Sequence, residues 1–292
     1  MPSIQPSPIT ASALYALPDP ATISHKGKAG RVLIIGGCER YTGAPHLAGM
    51  GALRSGAGLV TIAAPSALIP RILGPSPDLM ALPLHEASWS TACVPWLDEF
   101  AAGCDAVALG PGLGRGNGQT DLVAAFLACE RRPPCVIDAD ALYALHISGC
   151  FSLLSAHDVC TPHPGEAATL LTTEVKSIQE AREQSLDALC GLAPCVWLLK
   201  GAETLIGQGL EQRHILPYEE PNLAVGGSGD VLSGCIAAYL AQKVPALSAA
   251  NAGALTHAHA GHLLRGSFPA RGNTASDIAA TLPQARAALL QR

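Results

Sequence analysis

The chain has 292 residues, 49% hydrophobic and 14% charged, so it can bury a substantial core, which excludes a disordered protein. Its formal net charge of −5 argues against nucleic-acid binding, and no apolar run reaches the ~20 residues that a membrane-spanning helix needs. Ten cysteines occur without a CxxC pair, which favours buried free thiols over disulfides or zinc. The first residues lack the pattern of a secretory signal, so we expect a soluble, cytoplasmic protein.

Short β-rich runs alternate with longer Ala- and Leu-rich helical runs along the chain. The predicted strands are RVLIIGG (31–37), GLVTIAA (58–64), CDAVALG (104–110), PCVID (134–138), HDVCTP (157–162) and CVWLLKG (195–201). Residues 46–57, between the first two, predict a helix. This alternation predicts an α/β fold with a mostly parallel central sheet and helices on both faces.

The last third of the chain follows a different pattern. ETLIG (203–207) and QRHIL (212–216) predict a hairpin. Three helices are expected beyond them, at about 230–242, 246–264 and 276–291. No repeat or linker divides the chain, so we expect a lead segment over 1–24 and one domain over 25–292.

A cluster of glycines precedes the first of those helices, in AVGGSGDVLSGCIAAYL. A helix N-terminus attracts anions through unpaired N–H groups and a partial positive charge. We expect Gly226, Gly227 and Ser228 to form an anion cradle with Gly229, and Asp230 to lie beside the atom that receives a phosphate. The alternative is a flexible loop before an ordinary capped helix. Neither a Walker loop nor a GxGxxG motif occurs, so a phosphate site would be of another kind.

Other candidate segments follow the strands, where ligands collect in a parallel sheet. GPGLGRGNG (110–118) can let a phosphorylated ligand lie against its backbone, or is a plain connection. TPHPGE (161–166) holds His163 on a stiff loop, where it can donate a hydrogen bond to a substrate or be structural. LKGAET (199–204) places Lys200 at a strand end, where it can attract phosphate or be an ordinary solvated lysine.

Two further segments suggest metal ligands. In DADAL, Asp138 and Asp140 lie on the same side of an extended segment, where they can hold Mg²⁺ or cap the next helix. HAHAGH contains three histidines, but on a helix only His259 and His262 share a face, while His257 and His259 point apart. Without a third ligand we do not expect a metal there.

Taken in order, these segments resemble those of the ADP/ATP-dependent NAD(P)H-hydrate dehydratases of the ribokinase-like superfamily. The matching stretches are HKGKAGRVLIIGG, YTGAPHLAGMGALRSGAGLVT, GPGLG, VIDADAL, TPHPGEAATLL, LLKGAETLI and GGSGDVLSGCIAAYLAQ. GGSGD alone indicates only the superfamily, whereas the ordered set is more specific. The resemblance implies a ribokinase-like three-layer fold without a lid domain. It implies that hydrated NADH or NADPH is dehydrated at the expense of ADP or ATP, through phosphorylation of the hydroxyl and loss of phosphate.

The resemblance also implies roles for individual residues. Those expected to contact the hydrated dinucleotide are Ala44, Gly112, His163 and Asp230. Those expected to hold ADP or ATP are Lys200, Gly201, Ala202, Glu203, Thr204 and Gly229. Asp230 would accept the proton of the attacking hydroxyl, and the glycine amides would stabilise the transferred phosphoryl group. Mg²⁺ is expected with the nucleotide, with its ligands unassigned.

Some positions depart from the family pattern, namely Cys38, Pro45 and the stretch EEPNLAVGG (219–227). Relatives are often fused to an epimerase that interconverts the two hydrate epimers, and here we expect that epimerase to be a separate protein. Ala-rich helices favour a homo-oligomer. The alternatives are a small-molecule kinase of the same superfamily acting on a vitamin-precursor alcohol, and a non-catalytic nucleotide-binding protein.

Overall fold

A computed structural model describes residues 5–18, 25–74, 76–216, 218–269 and 271–291. The strands are β1 Ser7–Pro8, β2 Arg31–Ile35, β3 Leu59–Pro65, β4 Met80–Leu84, β5 Ala106–Leu109, β6 Cys135–Ile137, β7 Val159–Cys160, β8 Val196–Leu199, β9 Leu205–Gln208 and β10 Gln212–Ile215. The α-helices are α1 Gly43–Arg54, α2 Ile69–Leu73, α3 Val94–Ala101, α4 Asn117–Leu127, α5 Asp140–Ser148, α6 Pro164–Leu170, α7 Val175–Glu180, α8 Arg182–Cys190, α9 Ser228–Ala241, α10 Ala246–Leu264 and α11 Ala275–Leu290. The predicted alternation of strands and helices is confirmed.

The strands of the described residues form one sheet in the order β1-β10-β9-β8-β7-β6-β5-β2-β3-β4. From β4 to β8 all neighbours are parallel, and β9 pairs antiparallel with both β8 and β10. The mostly parallel sheet and the hairpin are therefore as predicted. Two short edge strands, β1 and β4, were not predicted. β4 contains Pro83, which a sequence pattern counts against a strand but which an edge strand tolerates.

Helices cover both faces of this sheet. On one side α1 packs on α9, α9 on α10, and α10 on α11; on the other α3, α4, α5 and α6 pack in succession. The central strands between them are apolar and fully buried, as in Val32–Ile35, which is typical of strands covered on both faces. This is the three-layer arrangement expected for the ribokinase-like fold.

Two helices of the first layer are in unusually close contact. A Cβ atom on Gly51 of α1 would overlap the carbonyl oxygen of Val231 in α9, and one on Gly234 of α9 would overlap the carbonyl oxygen of Ala48. The backbones of α1 and α9 therefore touch, because glycine stands at both crossing points.

Residues 1–4 and 19–24 of the expected lead segment lie outside the described residues. Within its described part, Ser7–Pro8 pairs with β10, and a 3₁₀ helix at Ala11–Ala16 packs on α10 and α11 with Leu14 buried. This part of the segment therefore packs against the rest of the chain.

All ten cysteines lie within the described residues and are free thiols, as predicted. Among the helices described, none is both long enough and apolar enough to cross a membrane.

Candidate functional site

Two cavities open at the carboxyl ends of the strands and meet at the first turn of α9. One, of 910 Å³, is lined by residues at or after the ends of β2, β3, β4, β5 and β6 and by Asp230. The other, of 760 Å³, is lined by residues that follow β8 and β10 and by Gly229. We call them the Asp230 cavity and the Gly229 cavity. Consecutive residues of one helix thus belong to two separate binding spaces.

The structure groups most of the predicted site residues. Ala44, Gly112 and Asp230 line the Asp230 cavity together. The predicted residues that line the Gly229 cavity are Lys200, Gly201, Ala202, Thr204, Gly226, Ser228 and Gly229. His163, predicted to contact the dinucleotide, lines the Gly229 cavity instead of the Asp230 cavity.

Glu203 and Gly227 line neither of these two cavities. The carbonyl of Glu203 accepts a hydrogen bond of 2.7 Å from Arg182 Nη2, which holds the loop after β8 in place. Gly227 caps α9 with φ 89°, a left-handed conformation that favours glycine. Both residues therefore shape the site through the backbone.

The start of α9 leaves backbone donors open. No described residue accepts a hydrogen bond from the amides of Gly226, Gly227, Gly229 or Asp230. Ser228 differs, because its amide donates to the Val225 carbonyl at 3.2 Å. The amides open to an anion therefore lie on either side of Ser228, whereas the predicted cradle also included Ser228.

The Ser228 side chain is held from α10. His257 Nε2 lies 3.1 Å from Ser228 Oγ and 3.0 Å from the Ser228 carbonyl oxygen, to which its N–H donates. Burial lowers the pKa of His257 to about 4, so the ring is neutral at ordinary pH. This contact fixes the first turn of α9 to α10.

The two glycines before Ser228 serve different purposes. A Cβ on Gly227 would overlap the Leu47 side chain, whereas a Cβ on Gly226 would meet nothing within 4 Å. Gly227 is therefore required by its conformation and its packing. The space beside Gly226 is open to a ligand.

A half-buried lysine, Lys200, joins the carboxylates of the site. Lys200 Nζ lies 2.8 Å from Asp138 Oδ1 and 3.7 Å from Glu166 Oε2. Ser233 Oγ donates to the other oxygen of Asp138 at 2.5 Å. A Cβ on Gly229 would lie 3.4 Å from the same Nζ, so the charge stands beside the start of α9. Lys200 is thus no ordinary solvated lysine, since it sits where it can attract phosphate.

The site contains two carboxyl groups with raised pKa values. Burial, reinforced by the charge of Asp138, raises the pKa of Asp230 to about 8, although Lys200 opposes the shift. Burial likewise raises the pKa of Glu166 to about 7. For Asp138, burial acts in the same direction but Lys200 and its hydrogen bonds outweigh it, so the pKa is lowered. Asp230 and Glu166 can therefore exchange protons near neutral pH, as general bases do.

Asp138 and Asp140 do not form the carboxylate pair suggested for Mg²⁺. Between them Ala139 adopts φ 51°, and the two side chains have different partners. Gly114 N and Arg115 Nε each donate to Asp140 at 2.9 Å, and Asp138 is engaged by Lys200. Within the described ranges, no group of three His, Cys, Asp or Glu side chains could hold a metal ion. A Mg²⁺ ion would therefore depend on phosphate oxygens, with one or two carboxylates added.

His163 begins α6 as well as lining the Gly229 cavity. Its Nδ1 accepts hydrogen bonds from the amides of Gly165 at 2.9 Å and Glu166 at 3.2 Å. Nε2 therefore carries the proton of the neutral ring. Burial and the charge of Lys200 lower the pKa of His163, which favours that neutral form. Nε2 also lies 3.4 Å from Glu166 Oε1, so a ligand that accepts from His163 would share this donor with that carboxylate.

HAHAGH forms part of the scaffold around the Gly229 cavity. His257 contacts Ser228, and the rings of His259 and His262 stack with centroids 5.6 Å apart, in agreement with the predicted shared face. Tyr218, which lines the cavity, lies edge-on to both rings at 6.1 Å.

A family model described as NAD(P)H-hydrate dehydratase matches residues 32–284. The chain belongs to the NAD(P)H-hydrate dehydratase family. One curated relative in this dehydratase family, the bifunctional NAD(P)H-hydrate repair enzyme Nnr of Vibrio cholerae, is 38% identical over 262 residues, covering 90% of this chain and 50% of the relative. The ATP-dependent (S)-NAD(P)H-hydrate dehydratase of Vitis vinifera is 34% identical over 238 residues, covering 74% and 65%. The chain spans about half the length of the bifunctional relatives.

A solved dehydratase has the same fold. The ADP/ATP-dependent NAD(P)H-hydrate dehydratase from Bacillus subtilis, co-crystallized with ATP/Mg²⁺, matches with a TM-score of 0.82 and 25% identity, covering 98% of this chain and 100% of that one. The hydroxyethylthiazole kinase of Pyrococcus horikoshii matches with a TM-score of 0.60 and 15% identity, covering 89% of each chain, which shows a shared fold alone. The expected dehydratase family and ribokinase-like fold are confirmed.

Proposed function

We propose that this chain converts hydrated NADH or NADPH back to NAD(P)H while consuming ADP or ATP. The observation that carries the proposal is the adjacency of Gly229 and Asp230, which line different cavities. The Gly229 cavity takes the adenine nucleotide and the Asp230 cavity takes the hydrated dinucleotide. Family membership supports this assignment, since relatives with 34% and 38% identity are named for that reaction.

The geometry supports transfer of a phosphoryl group at the junction of the cavities. The hydroxyl of the hydrated ring attacks the terminal phosphorus of the nucleotide while Asp230 takes the hydroxyl proton. The open glycine amides and Lys200 stabilise the negative charge on the transferred group. Phosphate is a better leaving group than hydroxide. It departs with the carbon–oxygen electron pair, the ring nitrogen donates its lone pair, and loss of a proton from the next ring carbon restores the double bond.

We propose Mg²⁺ as the companion of the nucleotide. Glu166 and Asp230 would supply hard oxygen ligands of the kind that this ion prefers, beside phosphate oxygens. When bound, Mg²⁺ would neutralise charge on the phosphates. His163 lies in the same region, where its Nε2–H can donate to a phosphate oxygen of the nucleotide. The contacts of Lys200 with Asp138 and Glu166 hold the lysine beside the proposed cradle.

The deciding assay supplies hydrated NADH with ATP or ADP and follows the absorbance of reduced nicotinamide. Recovery of that absorbance, with one phosphate released for each NADH formed, is the expected result. If absorbance does not recover while a vitamin-precursor alcohol is phosphorylated, the chain is a kinase of the same superfamily. If nucleotide binds without turnover of either substrate, the chain is a non-catalytic binding protein.

We further propose the setting in which this activity operates. The catalytic unit is a single domain over residues 25–292. A separate epimerase would interconvert the hydrate epimers, as the double activity named for the bifunctional relatives suggests. Ten free thiols fit a reducing compartment such as the cytoplasm. A homo-oligomer stays a prediction from the Ala-rich helices.

A further inference from the structure

The Arg115 guanidinium is held through its Nε atom, while its two Nη atoms are open to a ligand. Its Nε donates to Asp140 Oδ1 at 2.9 Å, and its guanidinium carbon lies 4.6 Å from the centre of the Tyr143 ring. No hydrogen bond from either Nη atom reaches another described residue. With 57% of its side chain exposed, Arg115 presents a fixed positive charge and free donors to a ligand.

The support for Arg115 comes from the start of one helix. Asp140 is the first residue of α5, and Tyr143 follows three residues later on the same helix face. The second oxygen of Asp140 accepts from the amide of Gly114 at 2.9 Å, so one carboxylate fixes both the loop and the arginine. Gly114 has φ 84°, a conformation that lets the loop turn there.

Arg115 lies where a substrate phosphate could reach it. It lines the Asp230 cavity and also a smaller cavity of 230 Å³ beside His163, but not the Gly229 cavity. Arg40 also lines the Asp230 cavity, and its guanidinium lies over the Tyr41 ring at 5.3 Å. Of these two arginines, only Arg115 is anchored by a carboxylate among the described residues.

We infer that Arg115 binds a phosphate of the dinucleotide in the Asp230 cavity. This inference rests on the proposed function. A guanidinium presents parallel N–H donors that match phosphate oxygens, and prior fixation by Asp140 and Tyr143 reduces the entropy lost on binding. The phosphate belongs either to the central diphosphate, common to both dinucleotides, or to the 2′-phosphate of the NADPH form.

Replacement of the guanidinium tests the inference. Arg115→Gln should raise the KM for the hydrated dinucleotide by about tenfold to a hundredfold, the range for loss of charge-assisted hydrogen bonds. The KM for ATP should stay unchanged. An equal rise for both hydrated dinucleotides assigns Arg115 to the diphosphate, and a rise for hydrated NADPH alone assigns it to the 2′-phosphate. Salt should weaken dinucleotide binding less in the variant than in the parent.

Two further variants separate phosphate binding from a structural effect. Arg115→Lys keeps the charge but lacks the planar guanidinium with its parallel N–H donors. Its KM for the hydrated dinucleotide should therefore lie between those of the parent and of Arg115→Gln. Arg131→Gln is the matched control, because Arg131 is also exposed, has a single carboxylate partner in Asp98 and lines none of the cavities named here. Its KM values should equal those of the parent.

The outcomes that overturn the inference are distinct from failure of the proposed function. Unchanged KM values for both dinucleotides in Arg115→Gln, or a rise confined to ATP, would disprove the role of Arg115 while leaving the dehydratase activity intact. If the parent restores no NADH, the proposed function fails. Fluorescence titration with unhydrated NADPH and NADH then decides whether Arg115 binds a dinucleotide phosphate, since equal affinities in parent and variant would reject it.

Discussion

Asp230 is half-buried near Asp138, Glu166 and Lys200, and its pKa is raised to about 8. Asp230→Asn should lower kcat by about 10²–10⁴-fold, because an amide cannot take the hydroxyl proton. Affinity for ADP in the absence of Mg²⁺ should persist, since the proposed anion cradle is made of backbone amides. Calorimetric titration with ADP and the dehydration assay measure the two quantities. A variant as fast as the parent would remove Asp230 from the mechanism.

The same carboxyl group makes stability depend on pH. Burial raises the pKa of Asp230 to about 8 in the folded chain, whereas in the unfolded chain this carboxyl has its ordinary pKa of about 3.8. The unfolded state therefore binds fewer protons in this window, and the parent loses stability as pH rises through it. The melting temperature of Asp230→Asn minus that of the parent should therefore be larger above pH 8 than near pH 4. An offset independent of pH would show that Asp230 titrates normally.

At the scale of elements, the start of α9 offers a matched pair of glycines. Gly227→Ala should destabilise the protein by about 1–3 kcal/mol, because φ is 89° and the new methyl group would overlap Leu47. Gly226→Ala adds a methyl group in open space, so the melting temperature should not change while the KM for ATP rises. Thermal melts and steady-state kinetics compare the two. Equal nucleotide KM values in Gly226→Ala and the parent would place the phosphates elsewhere.

The sequence predicted a helix or strand correctly where residues close together in the chain determine it. The buried runs of β2 and β5 and the hairpin of β9 and β10 appear in the sequence as apolar stretches with turn residues between them. The start of α9 lies at Ser228, two residues before the predicted 230, because the conformation of Gly227 ends the loop there. Edge strand β4 was missed because the sequence does not show that Pro83 lies at an edge.

The sequence likewise predicted individual site residues but not the contacts between distant segments. Glycine clustering indicated Asp230, and the end of a strand indicated Lys200. Within TPHPGE the sequence singled out His163 and not Glu166, since the approach of Glu166 to Lys200 joins segments that are separate in the sequence. The support of Arg115 by Asp140 likewise spans 25 positions. The arginine in GPGLGRG and the glutamate in TPHPGE were the available signals, but neither shows its partner.

At the scale of the whole molecule, a buried ion pair lies at the end of the sheet opposite to the two large cavities. At the amino ends of β6 and β7, far from the two large cavities, Arg132 donates two hydrogen bonds of 2.8 and 2.9 Å to the fully buried Asp158. The same carboxylate accepts from the amides of Cys135 and Ser155. This pair therefore joins two crossover connections to the sheet.

Arg132→Met should lower the free energy of unfolding by about 3–5 kcal/mol, because Asp158 would remain buried without its cation. KM values should not change, since the pair contacts neither large cavity. Denaturant unfolding measures the first quantity and the dehydration assay the second. Arg131 is the neighbouring exposed arginine, and Arg131→Met should lower the free energy of unfolding by only about 0–1 kcal/mol. Similar losses in both variants would contradict a special role for the buried pair.

The contact between α1 and α9 through Gly51 and Gly234 has a consequence for substrate choice. Ala44 lies at the start of α1 and Asp230 at the start of α9, so the width of the slot between them is set by main chains that already touch. Side chains can change rotamer to accommodate a bulky ligand, whereas main chains already in contact cannot move closer together or rearrange in this way. We therefore expect a slot of fixed width, which would accept a flat ring and exclude a thicker one.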